Sequence, residues 1–238
     1  DIMKAVCDLA SSVTRWSRND DRRLHRLSAY IAATADLTLE CRVATDTADL
    51  ELSLYVDADL AGDPLTSKST SGAYLVLTSP GGTWFPVCWL SKRQTSTSRS
   101  TTEAECVALA TALFQEALPM LTLFELILGR RMYLRIFEDN QATILICRNG
   151  YSPKLRHVSR THKIDLGSTF EVLQDEWIIL EYVKSESQAA DPFTKALEPL
   201  KWPPALNLLG LKPHREDLDM GAGAVSYTHL TLPTMMSV

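Results

Sequence analysis

Hydrophobic and polar residues alternate most cleanly over Leu50, Leu52, Leu54 and Val56, with Glu51, Ser53 and Tyr55 between them. This is the period-two pattern of a half-buried strand, and it runs directly into Asp57-Ala58-Asp59 and the turn residues Gly62-Asp63-Pro64. Further strands are predicted at Ala73–Thr78 and at Trp84–Leu90, separated by the turn Pro80-Gly81-Gly82. Three consecutive strands joined by turns make an antiparallel meander. Long helical signal then fills Ser100–Leu128, and a strand follows at Met132–Phe137 with a short helix at Asn140–Cys147. Beyond these the pattern predicts a helix over Thr161–Gln174, a strand over Trp177–Val183 and a last helix over Ser187–Leu197. The order βββαβα(α)βα describes an α/β fold with a mixed sheet, in which later strands return through helices to extend the meander.

The flanks read differently. Residues 1–49 carry two short helical patterns, one through Ile2, Val6, Leu9 and Val13 and another through Leu24, Leu27, Tyr30 and Ile31, then a short strand. That segment is too small to hold a core alone. Residues 199–238 lose periodicity among Pro199, Pro203, Pro204 and Pro213 and are expected to be irregular. Within them, Ala224–Thr234 looks like a translated sequencing-adapter read, so residues 224–238 are expected to be non-native.

Composition narrows the class without choosing a function. An apolar content of 45% and a charged content of 22% belong to an ordinary globular chain rather than a disordered or fibrous one. Five cysteines stand far apart and never as CxxC, which predicts reduced thiols in an intracellular protein and no zinc site. No uninterrupted apolar run of membrane-spanning length is read, since Pro119 and Glu125 break the most apolar window, and no membrane partner is expected. The first residue is Asp with no leader after it, so the chain reads as an internal piece of something longer. A net charge of -5 argues against coating nucleic acid by bulk attraction, yet carboxylates gathered around cations would themselves count in that sum.

The candidate chemistry lies in acidic residues placed where elements meet: Asp57/Asp59, Glu103/Glu105, Asp139 and Asp191. Side chains two apart on a strand share a face, so Asp57 and Asp59 can look into one pocket, and a helix starting near Thr101 can bring a glutamate across them. Glu103 and Glu105 lie about 200° apart around that helix, so only one can face Asp57, and periodicity does not choose between them. Ser100–Glu103 also matches a capping box, Asp59 and Asp63 suit a turn, and Asp191-Pro192 suits a helix start. Oxygen ligands without histidine or cysteine favour magnesium, with manganese as the alternative. Two such ions about 4 Å apart are a standard apparatus for phosphodiester hydrolysis.

An ordered set of motifs adds a resemblance. Tyr55-Val56-Asp57-Ala58-Asp59, Ser69-Thr70-Ser71-Gly72, Trp89–Gln94, Ser100–Glu105, Asp139-Asn140-Gln141-Ala142, Arg160–Asp165 and Ala190–Lys195 follow one another as in the ribonuclease H domain of copia-type retrotransposon polyproteins. The resemblance covers roughly residues 50–198, and residues 1–49 resemble the end of the preceding reverse transcriptase region. It implies a ribonuclease H-like fold with a five-stranded mixed sheet flanked by helices. It also implies an endoribonuclease that hydrolyses the RNA strand of RNA–DNA hybrids with two magnesium ions, leaving a 5′-phosphate and a 3′-hydroxyl. By position, Asp57, Glu105, Asp139 and Asp191 would be the metal ligands and catalytic carboxylates. Pro192 departs from the family pattern, as does the absence of histidine from 183–190. The expected partners are the hybrid and the upstream reverse transcriptase, and the expected location is intracellular, in a cytoplasmic retroelement particle.

Nucleic-acid contact has its own trace. No acidic residue occurs between Asn140 and Ile164, where Arg148, Lys154, Arg156, Arg160 and Lys163 stand with His157 and His162. Lys92, Arg93 and Arg99 form a second basic group before the long helix. Of these, Lys92, Arg93, Arg156, Arg160 and Lys163 are the expected nucleic-acid-binding residues. Two alternatives are a decayed copy that binds without turnover and another nuclease of the same fold.

Overall fold

The computed structural model describes residues 1–44, 46–63 and 65–213; the expected non-native stretch at 224–238 lies outside the described residues. Helices α1 (Met3–Ser12) and α2 (Arg18–Ala33) come first, then a short strand β1 (Leu37–Leu39). Ser17 and Asp20 close a reciprocal capping box at the start of α2. Strands β2 (Glu51–Asp59), β3 (Thr70–Thr78) and β4 (Trp84–Arg93) form the meander, with β2–β3 and β3–β4 both antiparallel. After helix α3 (Thr101–Ala112) a single π turn at Leu113–Ala117 leads into α4 (Leu118–Leu128). Strand β5 (Leu134–Glu138), helices α5 (Gln141–Asn149), α6 (Val158–Thr161) and α7 (Leu166–Val172), and strand β6 (Ile178–Tyr182) complete the sheet layer. The five strands lie in the order β4-β3-β2-β5-β6, with β2–β5 and β5–β6 parallel. This is the five-stranded mixed sheet flanked by helices that the sequence predicts.

The core forms where α3 lies on the central strands. Leu52, Leu54 and Val56 of β2, Leu134 and Ile136 of β5, and Leu109 and Ala112 of α3 are fully buried in one cluster. Central β2 is buried on both faces, and β4, at an edge, tolerates Pro86 beside a bulge. The continuous helix Thr101–Leu128 spans 28 residues and is, by length and composition alone, long and apolar enough to cross a membrane. Pro119 follows directly on the π turn Leu113–Ala117, where the Leu118 N–H already bonds to the Leu113 carbonyl, and this local widening accommodates the proline within the helix. The apolar run is therefore longer than the sequence suggests; nine of the twelve residues of α3, Glu103 and Glu105 among them, are buried in the protein itself.

Two helix expectations are corrected. The last predicted helix over Ser187–Leu197 is two 3₁₀ turns, Ser185–Ser187 and Asp191–Phe193. Pro192 has no N–H with which to carry a helix on from Ser187, and the buried Gln188 side chain donates instead to the Val56 carbonyl at 2.9 Å. The predicted helix over Thr161–Gln174 begins only at α7: Thr161 is the last residue of α6, Lys163 adopts a positive φ of 61°, and Asp165 caps the new start.

The expectation of irregularity after 198 also fails in its first part. Helix α8 (Trp202–Leu208) forms there, and strand β7 (Leu211–Pro213) pairs antiparallel with β1. A second buried cluster of Tyr74, Val76, Ala189, Phe193 and Leu209 packs beneath these pieces with Met3 and Trp84. The Tyr74 hydroxyl donates to the Leu209 carbonyl at 2.6 Å across it. The flanking segments are thus laid over the outer face of the meander.

Candidate active site

Three carboxylates converge where the central strands end. Asp57 lies near the end of β2, Asp139 follows β5 directly, and Glu105 comes from the second turn of α3. One oxygen from each lies within 4.8 Å of the others. The parallel pairing of Tyr55 with Phe137 puts the exits of β2 and β5 side by side, which is why residues 82 apart in sequence meet. Asn140, not Asp139, caps α5, accepting from the N–H groups of Ala142 and Thr143, so the Asp139 carboxylate is spared for the cleft. Asp139 accepts instead from the Ser185 hydroxyl at 2.6 Å. The cluster opens into a cleft of about 550 Å³ that Asp59, Thr101, Asn140, Gln141 and Lys195 also line.

The geometry separates the two glutamates that periodicity left equal. Glu103 turns away from Asp57: its Oε1 lies 3.0 Å from His157 Nε2 and 3.3 Å from His162 Nε2, and its Oε2 accepts from the Arg99 N–H. Ser100 caps the same turn by accepting from the Glu103 N–H. Glu105 points to the cluster, and its buried Oε2 has no hydrogen-bond partner. Burial first, then the charges of Glu138, Asp57 and Asp139, push its pKa up to about 11. Glu138 is also fully buried with one orphaned oxygen, and burial raises its pKa well above the ordinary value. An orphaned buried carboxylate oxygen among three clustered oxygen donors is what a hard divalent cation would satisfy, so the residues fit such an ion.

Asp191 and Lys195 approach from the side. The Lys195 ammonium lies 2.8 Å from Asp57 Oδ1 and 2.9 Å from Asp191 Oδ1, while the Thr194 hydroxyl donates to Asp57 Oδ2. Burial, then the Asp57 charge, raises the Asp191 pKa. Burial alone would lower the Lys195 pKa, but Asp57 and Asp191 outweigh it and raise it. The turn carrying these groups reaches Asp57 because Gly72, paired with Asp57 across the sheet, has no side chain. A Cβ there would stand 2.4 Å from Thr194 Cγ2 and 3.1 Å from the Ala190 carbonyl oxygen. Asp59 lines the cleft outside the three-carboxylate cluster, and Asp63 serves its turn, accepting from the Leu65 N–H and the Thr66 hydroxyl. Lys195 was not among the expected site residues; the signal was present as a lysine four residues after Asp191, a spacing that a helical reading explains as a surface pair.

The expected basic residues divide. Arg156, Arg160, Lys163 and Lys92 are exposed, and Arg156 rests on Tyr151, donating to its hydroxyl at 2.8 Å. Arg93 faces the N-terminal segment, 3.1 Å from Asp63 and 2.7 Å from the Ser11 hydroxyl. The 157–162 stretch is fastened beside the start of α3 by Glu103 and by Ser96, whose hydroxyl donates to the Thr161 carbonyl at 2.6 Å. This holds a basic surface next to the helix that presents Glu105.

Comparison with known proteins gives the family. No family model matches the chain. It is 32% identical over 160 residues to the retrovirus-related Pol polyprotein from transposon TNT 1-94 of Nicotiana tabacum, covering 66% of this chain and 11% of that protein. It is 30% identical over 200 residues to the corresponding polyprotein from transposon RE2 of Arabidopsis thaliana, covering 80% and 13%. The chain belongs to the retrovirus-related Pol polyproteins of copia-type transposons. The domain and its flanks span little more than a tenth of the length of these curated relatives. Among solved structures the domain is similar to LC11-RNase H1, isolated from compost by a metagenomic approach, with a TM-score of 0.41, 16% identity, and coverage of 60% of this chain and 92% of that one.

Proposed function

We propose that this domain is a magnesium-dependent endoribonuclease that hydrolyses the RNA strand of RNA–DNA hybrids within a retrotransposon reverse transcriptase polyprotein. The observation that carries the reading is the convergence of Asp57, Glu105 and Asp139 at the mouth of an open cleft. These residues would hold the cation, with Asp191 at the flank, and manganese is the expected substitute. When bound, two such ions would supply Lewis-acid stabilisation of charge on the scissile phosphate and a hydroxide-like nucleophile.

The chain's own residues do the rest. Asp57 is fully buried and held by the Thr194 hydroxyl and the Lys195 ammonium, so its carboxylate is fixed before substrate arrives. Arg156, Arg160 and Lys163 offer cations to the phosphate backbone, with Lys92 near the end of β4 as a further contact. Recognition of the hybrid itself would rest on contacts with RNA 2′-hydroxyls. Residues 1–49 are read as the end of the reverse transcriptase region, docked on the domain through α1 and β1. The reading places the polyprotein inside the cell, in a retroelement particle, in keeping with five free cysteines.

The test is cleavage of a labelled RNA–DNA hybrid by the full chain in magnesium or manganese, beside Asp139→Asn. The parent should cut the RNA strand only when it is paired with DNA, and the variant should lose more than about a hundredfold in rate, the upper cost of residues that merely support a ligand. A parent that binds the hybrid without cutting it would instead describe a decayed copy.

A further inference from the structure

We propose that Lys195 is a built-in cation that holds the place of a second metal ion between Asp57 and Asp191 while no nucleic acid is bound. The proposal rests on the cation-binding reading of the carboxylate cluster and adds to it an account of how many ions the free protein takes.

The Lys195 ammonium bridges the two carboxylates, 2.8 Å from Asp57 Oδ1 and 2.9 Å from Asp191 Oδ1. These are short charge-assisted contacts, and they occupy the Asp57 oxygen that is not engaged by the Thr194 hydroxyl. A divalent ion shared by Asp57 and Asp191 would need that oxygen. It would also lie against a permanent positive charge, which at such separations opposes it strongly. An ion held mainly by Glu105 and Asp139 would use oxygens that the lysine does not contact, since the ammonium pairs with Asp57 and Asp191 and Glu105 Oε2 is without a partner. The two halves of the acidic site are therefore unequal, one open to a cation and one already neutralised.

The arrangement also has a release. The Lys195 side chain is 38% exposed, whereas that of Asp57 is 1% exposed, so the ammonium can swing toward solvent or a phosphate while the carboxylate stays fixed. A phosphate entering the cleft offers the ammonium an alternative partner and frees Asp57 and Asp191 together. Lys195 is thus a positioning residue whose charge sets the order in which ions and substrate assemble.

The experiment is a titration of the full chain with manganese, without nucleic acid, counting bound ions from the loss of the free-ion paramagnetic resonance signal. The parent should bind one ion per chain, and Lys195→Met should bind two, or bind its second roughly tenfold or more tightly than the parent does. Lys195→Arg, which keeps the charge, should behave as the parent. The double variant Lys195→Met with Asp191→Asn should return to one ion, which locates the second. Lys195→Gln is titrated in parallel, with melting curves for each protein, so that a folding defect in one variant does not decide the result. Identical titrations for the parent and both neutral variants would overturn the role of Lys195 alone. Absence of manganese binding in every protein would overturn the cation-binding reading and this proposal with it.

Discussion

At the scale of single residues, Glu103 and Glu105 show how one helix turn serves two purposes. Glu103 organises protein, taking hydrogen bonds from the Arg99 N–H and facing two histidines. Glu105 is left with an unpartnered buried oxygen beside other carboxylates. Their neutral variants should therefore move cation-free stability in opposite directions. Glu103→Gln should destabilise by about 1–2 kcal/mol through the contacts it breaks. Glu105→Gln should stabilise, since it replaces a group whose pKa is raised to about 11 by burial and neighbouring carboxylates. The folded state keeps a proton on Glu105 that the unfolded chain releases at ordinary carboxylate pH, so the parent loses stability as pH rises above that range and regains it on acidification. Melting curves at pH 5 and pH 8 in a chelator should show the advantage of Glu105→Gln growing with pH, and added magnesium should shrink it. Asp57 and Asp139 were legible in the sequence because they stand at the ends of period-two patterns. The choice of glutamate was not legible in periodicity, because α3 buries residues on nearly every side and so carries no single apolar face; the motif resemblance alone pointed to Glu105.

At the scale of elements, the sheet was legible and the pieces that complete the site were less so. Alternation marks β2 plainly, and its end marks Asp57, whereas the turn bearing Asp191 and Lys195 is shaped by tertiary contacts. Phe193 stacks on Tyr74 with ring centroids 5.6 Å apart, and its carbonyl accepts from the Ser91 hydroxyl at 2.7 Å. Those partners lie about 100 residues away, so a local pattern reads the segment as helix. The close approach of this turn to β3 depends on Gly72. Gly72→Ala should force the turn outward, lowering stability by about 1–3 kcal/mol and reducing hybrid cleavage although no carboxylate is altered. A melting curve and a cleavage rate for this variant check both parts; unchanged values for both would mean that the turn has room the structure does not show.

At the scale of the whole molecule, the α/β domain is not bounded where its own five-stranded sheet ends. β1 pairs with β7 across more than 170 residues of sequence, and the second buried cluster is covered by α1 and α8 from the two flanks. Pairing between such distant short strands leaves no local trace, which is why the sequence suggests irregularity after 198. A fragment of residues 50–198 should consequently melt at least about 10 °C below the full chain, through loss of cover over Tyr74, Val76 and Phe193. Equal melting temperatures would show that the flanks are passengers. The central claim concerns the cluster of Asp57, Glu105 and Asp139 as the centre that hydrolyses RNA in a hybrid, and it is tested most directly by the cleavage rates of the full chain, Glu105→Gln and Glu103→Gln on one labelled substrate in magnesium. The account predicts that Glu105→Gln falls by more than about a hundredfold while Glu103→Gln stays within about tenfold of the parent. A Glu105→Gln variant that cuts as fast as the parent would contradict it.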